Sequence, residues 1–338
     1  MFKYLSVVLV ALFILSGCDK TPDVVKIAGP TMGTQYHISW VGDDADSEKI
    51  QTLIDARLVA INKAMSTYDP TSELSLLNQQ QAPLANETIS DDLAEVLRDA
   101  LEVYQKSEHR FDVTVGPLVN AWGFGPGKHL DERLPQEEVD QLLSEIGSDA
   151  IHLNGDQLST DKPLYIDLSA VAKGWGVDQL ANLLEQQGIH SYLVEVGGEL
   201  RTRGQKPDGS NWRVAIERPA LDAMDREVQL IVEPGDAGLA TSGDYRNYFE
   251  ENGVRYSHTI DPATGYPITH RLASVTVIHK QCGMADAWAT ALNVAGPDNA
   301  MRLANQYQLA AYAIVRTDTG FTAVASDEFK RRFPHAVQ

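Results

Sequence analysis

Two cysteines are all that the 338-residue sequence contains. One, Cys18, ends an apolar N-terminal stretch. Cys282 then has no partner, so no structural disulfide is expected, and it reads as a small buried residue. Positive charge is also scarce: 28 Lys and Arg stand against 47 Asp and Glu, a net charge of −19. Without a dense basic run the chain has little with which to neutralise a phosphate backbone, which argues against a nucleic-acid partner. The same deficit means that any nucleotide site must draw on local cations or a metal ion. The patterns G-x-x-x-x-G-K-[ST], H-E-x-x-H, G-x-S-x-G and C-x-x-C are all missing. Their absence removes the commonest NTPase, zinc-protease, α/β-hydrolase and thioredoxin readings. From Lys26 onward there is no low-complexity linker and no internal repeat.

What is present begins with a leader. Lys3 gives a positive start, Leu5 to Leu15 form an apolar run too short to span a bilayer, and Leu15-Ser16-Gly17-Cys18 follows. A small residue before a cysteine at the end of such a run resembles a bacterial lipoprotein signal. Residues 1–17 are therefore expected to be a signal peptide, Cys18 the lipidated first residue, 18–25 a tether and 26–338 the folded domain. Asp19 after that cysteine implies retention at the periplasmic face of the inner membrane.

Helical spacing marks 47–65, 90–107, 135–146, 173–188 and 284–307. In the first, Ile50, Leu53, Ile54, Leu58 and Ile61 make one apolar stripe. Strand-like segments include 35–40, 151–153, 163–167, 191–196, 212–217, 228–232 and 273–279. Helices mixed with hairpin-like strand pairs predict an α+β fold in a single large mixed domain.

Four features have residue types suited to chemistry. The segment from Tyr165 to Gly176 is expected to pass from a strand end at Asp167 into a helix starting near Ala170 or Val171, with Ser169 as N-cap. Free amides there favour an anion. Lys173, in the first turn, opposes the helix dipole unless it faces a phosphate or carboxylate; a solvated Lys beside a capping Ser is the plain alternative. Further on, Asp286 and Thr290 stand one helical turn apart, an oxygen pair suited to Mg²⁺. A carboxylate near a helix start and a Thr bonded back to its own helix would look the same. His258 precedes the Pro/Gly turn of Asp261-Pro262-Ala263-Thr264-Gly265 and is either a general base or a hydrogen-bonded structural residue. Finally, 30–34, 65–74 and 111–118 combine Met or aromatics with small polar neighbours, a set that can enclose a planar ring or simply pack a core.

In this order the segments resemble the ApbE family of FAD:protein FMN transferases. The resemblance rests on G-P-T-M-G-T (29–34), M-S-T-Y-D-P-T-S-E-L (65–74), F-D-V-T-V-G-P-L (111–118), I-D-L-S-A-V-A-K-G-W-G (166–176) and V-G-G-E-L (196–200), then T-S-G-D-Y (241–245), H-T-I-D-P-A-T-G-Y-P (258–267) and A-D-A-W-A-T-A-L (285–292). It implies an FAD-binding cleft in an α+β fold, with Met32, Tyr68, Arg110, Phe111, Asp112, Asp167, Lys173 and Ile260 contacting flavin and nucleotide. It implies Mg²⁺ on Asp286, Thr290 and the Ala170 carbonyl, with His258 as base. It also implies that the FMN half of FAD passes to a Ser or Thr hydroxyl of a partner flavoprotein, such as a membrane redox-pump subunit, releasing AMP. The same residues would equally serve an FAD pyrophosphatase, and a flavin-binding lipoprotein without activity is a further alternative.

Overall fold

The computed structural model describes residues 23–125, 134–219, 227–243, 248–251 and 254–336; the expected signal peptide and Cys18 lie outside them. The chain opens with a hairpin, β1 (Asp23–Thr31) and β2 (Thr34–Gly42), so the sheet starts three residues before the expected domain boundary at Lys26. Next come α1 (Ser47–Met65), α2 (Glu73–Asn78), β3 (Glu87–Thr88), α3 (Asp91–Lys106), α4 (Gly116–Ala121), α5 (Gln136–Glu145), β4 (Ile151–Asn154) and β5 (Gln157–Thr160). Then follow α6 (Ala172–Gln186), β6 (Tyr192–Val196), β7 (Glu199–Arg203), β8 (Val214–Arg218), β9 (Glu227–Val232), β10 (Ala237–Gly243), β11 (Tyr248–Glu251) and β12 (Val254–Ser257). The chain closes with β13 (Leu272–His279), α7 (Cys282–Gln306), β14 (Ala310–Thr317), β15 (Gly320–Ala325) and α8 (Asp327–Arg332).

Eight strands form one sheet in the order β1-β2-β6-β7-β10-β13-β14-β15, antiparallel at every pairing. The expected α+β architecture is thus what the chain adopts. Period-two alternation sends the side chains of its central strands into two cores. On one face Val275 and Val277 of β13 meet Ala285, Trp288 and Leu292 of α7, together with residues of α3. On the other, Ile278, Leu239 and Tyr312 meet Val214, Ile216 and Val232 of the β8–β9 pair and Phe329 of α8. At one end of the sheet, Tyr36, Ile38 and Trp40 of β2 pack on the α1 stripe, where Ile50, Ile54, Leu58 and Ile61 are buried.

Two expectations change. The segment 163–167 is extended but joins no ladder: Ile166 exchanges both backbone hydrogen bonds with the side chain of Asn78 (2.8 Å each), and the Asp167 N–H donates to the Val113 carbonyl (2.7 Å). Its backbone groups are satisfied by a helix end and a loop, so strand-like composition finds no strand partner. The expected helix over 284–307 exists, but it bends at Gly296 (φ 76°) ahead of Pro297. Proline has no N–H to continue the ladder, and glycine accepts the left-handed conformation.

Helices α6 and α7 cross at very close range. A Cβ on Gly174 would lie 2.5 Å from the Cys282 carbonyl oxygen and 2.7 Å from Cβ of Asp286. The approach lets each helix cap the other. Asp178 of α6, with only 7 % of its surface exposed, accepts from the Gly283 N–H in the first turn of α7 (2.9 Å). Asp286 of α7 accepts from the Gly174 N–H in the first turn of α6 (3.0 Å). Neither helix has a side-chain cap from its own N-cap residue, Val171 or Gln281. Orphan first-turn amides are thereby satisfied by carboxylates, which also suit the positive helix ends. Asp178 is held in turn by Arg201 of β7 (2.7 Å).

Removing Asp178 leaves a buried amide without its acceptor and Arg201 with only the longer ion pair to Glu185 (4.0 Å), so Asp178→Ala is expected to lower unfolding stability by about 3 kcal/mol, read from urea midpoints. A second test concerns Asp99 on α3. Burial, reinforced by the charges of Glu95, Glu102 and Asp178, pushes its carboxyl up to about 6. A carboxyl raised in the folded state gives stability that is complete below its unfolded pKa and is lost as pH rises through the folded value. Asp99→Asn should therefore raise the melting temperature at pH 7.5, and the gain should shrink towards pH 5.

Candidate functional site

The junction of α6 and α7 opens onto a cavity of about 330 Å³. Its walls come from seven places in the chain. The loop from α3 to α4 gives Arg110, Phe111 and Asp112, α4 gives Val119, and the loop into α6 with the first turn of that helix gives Asp167, Ser169, Ala170 and Lys173. The first residue of β7 is Glu199, and the end of β10 gives Thr241, Ser242 and Gly243. The turn after β12 gives His258, Thr259, Ile260 and Pro262, and α7 gives Asp286, Thr290 and Val294.

The charged centre is built from three elements. Asp286, 5 % exposed, and Glu199, 6 % exposed, flank one ammonium. Lys173 Nζ lies 3.3 Å from Glu199 Oε1 and 3.9 Å from Asp286 Oδ2. Burial alone would depress the ammonium's pKa, but the Asp286 and Glu199 charges outweigh it and hold the group above the ordinary lysine range. Burial also pushes both carboxyls up, against the pull of Lys173, and Glu199 reaches about 7. Glu199 Oε2 has no protein hydrogen-bond partner. Two carboxylates against one ammonium leave an excess of negative charge, and a buried excess calls for a cation or a proton.

Glycine shapes this corner. The β6–β7 hairpin turns through Gly197 (φ 61°) and Gly198 (φ 110°), both in the region that side chains rarely adopt. A Cβ on Gly197 would meet Thr34 at 2.8 Å and the stem of Lys173 at 3.3 Å. The turn thus lets the lysine stem pass and sets Glu199 at the head of β7.

Ser169 does not cap α6. Its N–H and hydroxyl both donate to Asp167 Oδ1 (2.8 and 2.5 Å), and the helix starts later, at Ala172. That turn stiffens the loop carrying Ala170. Asp112 is similarly engaged: its Oδ1 accepts from the Thr114 N–H and hydroxyl (2.8 and 2.6 Å) and from the Ser148 hydroxyl (2.6 Å). It lines the cavity while tying the α3–α4 loop to residue 148. Arg110 lies 3.5 Å from Asp261, joining that loop to the turn that carries His258. The His258 ring meets Phe124 edge-on at 6.4 Å.

Of the residues singled out from the sequence, Arg110, Phe111, Asp112, Asp167, Ala170, Lys173, His258, Ile260, Asp286 and Thr290 share the cavity. Met32 and Tyr68 stand outside its wall. Met32 occupies the β1–β2 turn at φ 47°, with its side chain beside Gly176 of α6 and among the apolar residues under α1. The Tyr68 ring is 70 % exposed. Glu199 joins the cavity residues without a role read from the sequence; its one signal in V-G-G-E-L is an acid directly after a glycine pair suited to a tight turn.

The donors bear on which metal this site suits. Among the described residues no group of three or more His, Cys, Asp or Glu side chains is placed to hold a metal. Asp286, Thr290 and Ala170 instead line the same cavity and bring a carboxylate, a hydroxyl and a backbone carbonyl, beside the carboxylates of Glu199, Asp112 and Asp167, which are engaged with Lys173 or with their own loops. The first three are hard oxygen donors and too few to close a coordination shell. That fits Mg²⁺, which keeps waters or takes phosphate oxygens in its remaining positions.

Comparison with known proteins identifies the family. The model of the ApbE family matches residues 32–313. A Vibrio cholerae protein named FAD:protein FMN transferase is 48% identical over 329 residues, covering 96% of this chain and 97% of that protein. The protein of the same name from Escherichia coli K12 is 40% identical, covering 97% of each. Among solved structures, the Vibrio cholerae flavin transferase ApbE superposes with a TM-score of 0.83 at 45% identity, covering 92% of this chain and 99% of that one. The apo form of the Pseudomonas stutzeri flavinyl transferase ApbE gives a TM-score of 0.85 at 38% identity, covering 94% and 98%. By fold and by sequence along nearly its whole length, the chain belongs to the ApbE family.

Proposed function

We propose that this transferase moves the FMN half of FAD onto a Ser or Thr hydroxyl of a partner flavoprotein and releases AMP. The observation that carries the reading is the meeting of Asp286, Thr290, Lys173 and the Ala170 loop on one wall of a cavity that His258 also lines. Asp286, Thr290 and the Ala170 carbonyl would hold Mg²⁺. When bound, the ion supplies positive charge to diphosphate oxygens, which eases loss of the AMP phosphate.

The remaining work falls to the chain's own groups. Arg110, Phe111, Asp112, Asp167 and Ile260 orient the dinucleotide, and Lys173 adds a cation on the side of Asp286. Met32 and Tyr68 are left for the part of the ligand that projects beyond the cavity. The acceptor hydroxyl oxygen attacks the phosphorus on the FMN side. The bond from that phosphorus to the bridging oxygen breaks, AMP takes the electron pair, and His258 accepts the hydroxyl proton. Positioning and neutralisation of charge account for most of the rate in such transfers. The leader sequence supports a lipid anchor on Cys18 that places the enzyme at the periplasmic face of the inner membrane, beside a membrane-bound acceptor. Among the described residues no helix is long and apolar enough to cross a membrane.

The test mixes protein, FAD, Mg²⁺ and a candidate acceptor domain, then reads flavin fluorescence on the denatured acceptor. Asp286→Ala should lower labelling by on the order of 10²-fold or more, because metal charge is worth several kcal/mol, with FAD binding only weakened. His258→Ala should lower labelling by roughly 10²–10⁴-fold while FAD still quenches on binding. Full labelling by Asp286→Ala refutes the metal assignment, and free FMN with an unlabelled acceptor replaces transfer by hydrolysis.

A further inference from the structure

We propose that Glu199 is a positioning residue that keeps Lys173 away from Asp286, so that the Asp286 carboxylate stays available to a divalent cation. The inference rests on the magnesium reading above and assigns a task to a residue that reading leaves idle. Its basis is the unequal sharing of one ammonium by two buried carboxylates.

Lys173 lies on the helix that Asp286 caps, next in sequence to Gly174, whose N–H Asp286 binds. With no other acid nearby, the ammonium would take Asp286 as its counter-ion, since a buried lysine needs one. A paired Asp286 would meet an incoming metal with its charge already neutralised. The observed geometry differs. The ammonium is shared unequally: it leans to Glu199 at 3.3 Å, and at 3.9 Å from Asp286 it keeps an ion pair but stands outside hydrogen-bond range.

Two features hold it there. The lysine stem runs past Gly197, where a Cβ would come within 3.3 Å of it. Glu199 is fixed at the first position of β7, directly after the glycine turn, and pairs across the hairpin with Val196. The carboxylate is therefore presented by a ladder residue at the end of a two-residue turn. Its second oxygen has no protein donor, so Lys173 is the only side chain that it holds by hydrogen bond or ion pair among those described. Glu199 is the nearer counter-ion for Lys173, and among the described residues the capping bond from Gly174 is the hydrogen bond that Asp286 accepts, with Lys173 at ion-pair distance only.

The experiment measures Mg²⁺ and Mn²⁺ binding by titration calorimetry on the folded protein without FAD, so the readout is affinity and not turnover. Glu199→Gln keeps the shape and removes the charge; Lys173 should then move onto Asp286 and the dissociation constant should rise about tenfold, equivalent to about 1.4 kcal/mol. Adding Lys173→Met to that variant should bring the constant back to near the wild-type value, because the competitor is gone. Lys173→Met alone should bind the ion at least as tightly as wild type.

Unchanged affinity in Glu199→Gln overturns the proposal. So does a Glu199→Gln loss that Lys173→Met fails to reverse, which would make Glu199 a direct ligand or a purely structural residue. Weaker binding in Lys173→Met alone overturns it as well, and that variant leaves Glu199 intact should Glu199→Gln fail to fold. If wild-type protein binds neither ion, even when the titration is repeated with FAD present to supply phosphate oxygens, the magnesium assignment itself fails and takes this inference with it. That result is distinct from binding that is present and insensitive to Glu199.

Discussion

Everything that gives this cavity its chemistry depends on two helices approaching more closely than side chains would allow. At the α6–α7 crossing, Gly174 presents backbone to the start of α7, and each helix receives at its N-terminus a carboxylate grown on the other. The two caps differ in consequence. Asp178 is locked by Arg201 and serves only the architecture. Asp286 gives one oxygen to the Gly174 amide and faces the cavity with the remainder of its charge. The contact that fixes the helices thus fixes the cavity carboxylate with the same bond, and neither placement can be tuned without the other.

Around that crossing the cavity is assembled from parts with little regular structure of their own. The α3–α4 loop is stiffened by Asp112, Thr114 and Ser148, the loop into α6 by Asp167 and Ser169, and the two are joined where the Asp167 N–H donates to the Val113 carbonyl. These bonds replace the sheet ladder and helix capping that regular elements would supply. Irregular backbone on a cavity wall leaves amides and carbonyls free to face a ligand, and short Asp–Ser and Asp–Thr turns keep it in place. The Ala170 carbonyl belongs to such a segment.

How far the sequence foretells this varies with the kind of signal. The helices over 47–65, 90–107 and 135–146 are legible because apolar residues recur at helical spacing, and the observed bounds agree within a residue or so. The segment 163–167 misleads because β-type composition records burial and not pairing; its backbone partners, Asn78 and Val113, lie far away in the chain. Ser169 misleads because a capping residue type can equally close a turn onto a neighbouring Asp. Asp286 and Thr290 are readable as a pair because they share a helix, whereas Glu199 is not readable as their neighbour. It reaches them through a glycine turn on a different strand, and no local period carries that information.

The order of strands in the large sheet also sets the timing of folding. The β1–β2 hairpin can form early, but β2 finds its second neighbour only in β6, with Tyr36 to Trp40 lying against Val196 to Tyr192. About 150 residues separate those partners, and the central strands β10 and β13 arrive later still. Contacts so distant along the chain make for slow assembly and leave the first hairpin with an open edge while it waits. The chain must therefore run past its midpoint before β2 is paired on both sides. The late-arriving helix α7, which packs on β13 in the middle of the sheet, is also the element that completes the cavity.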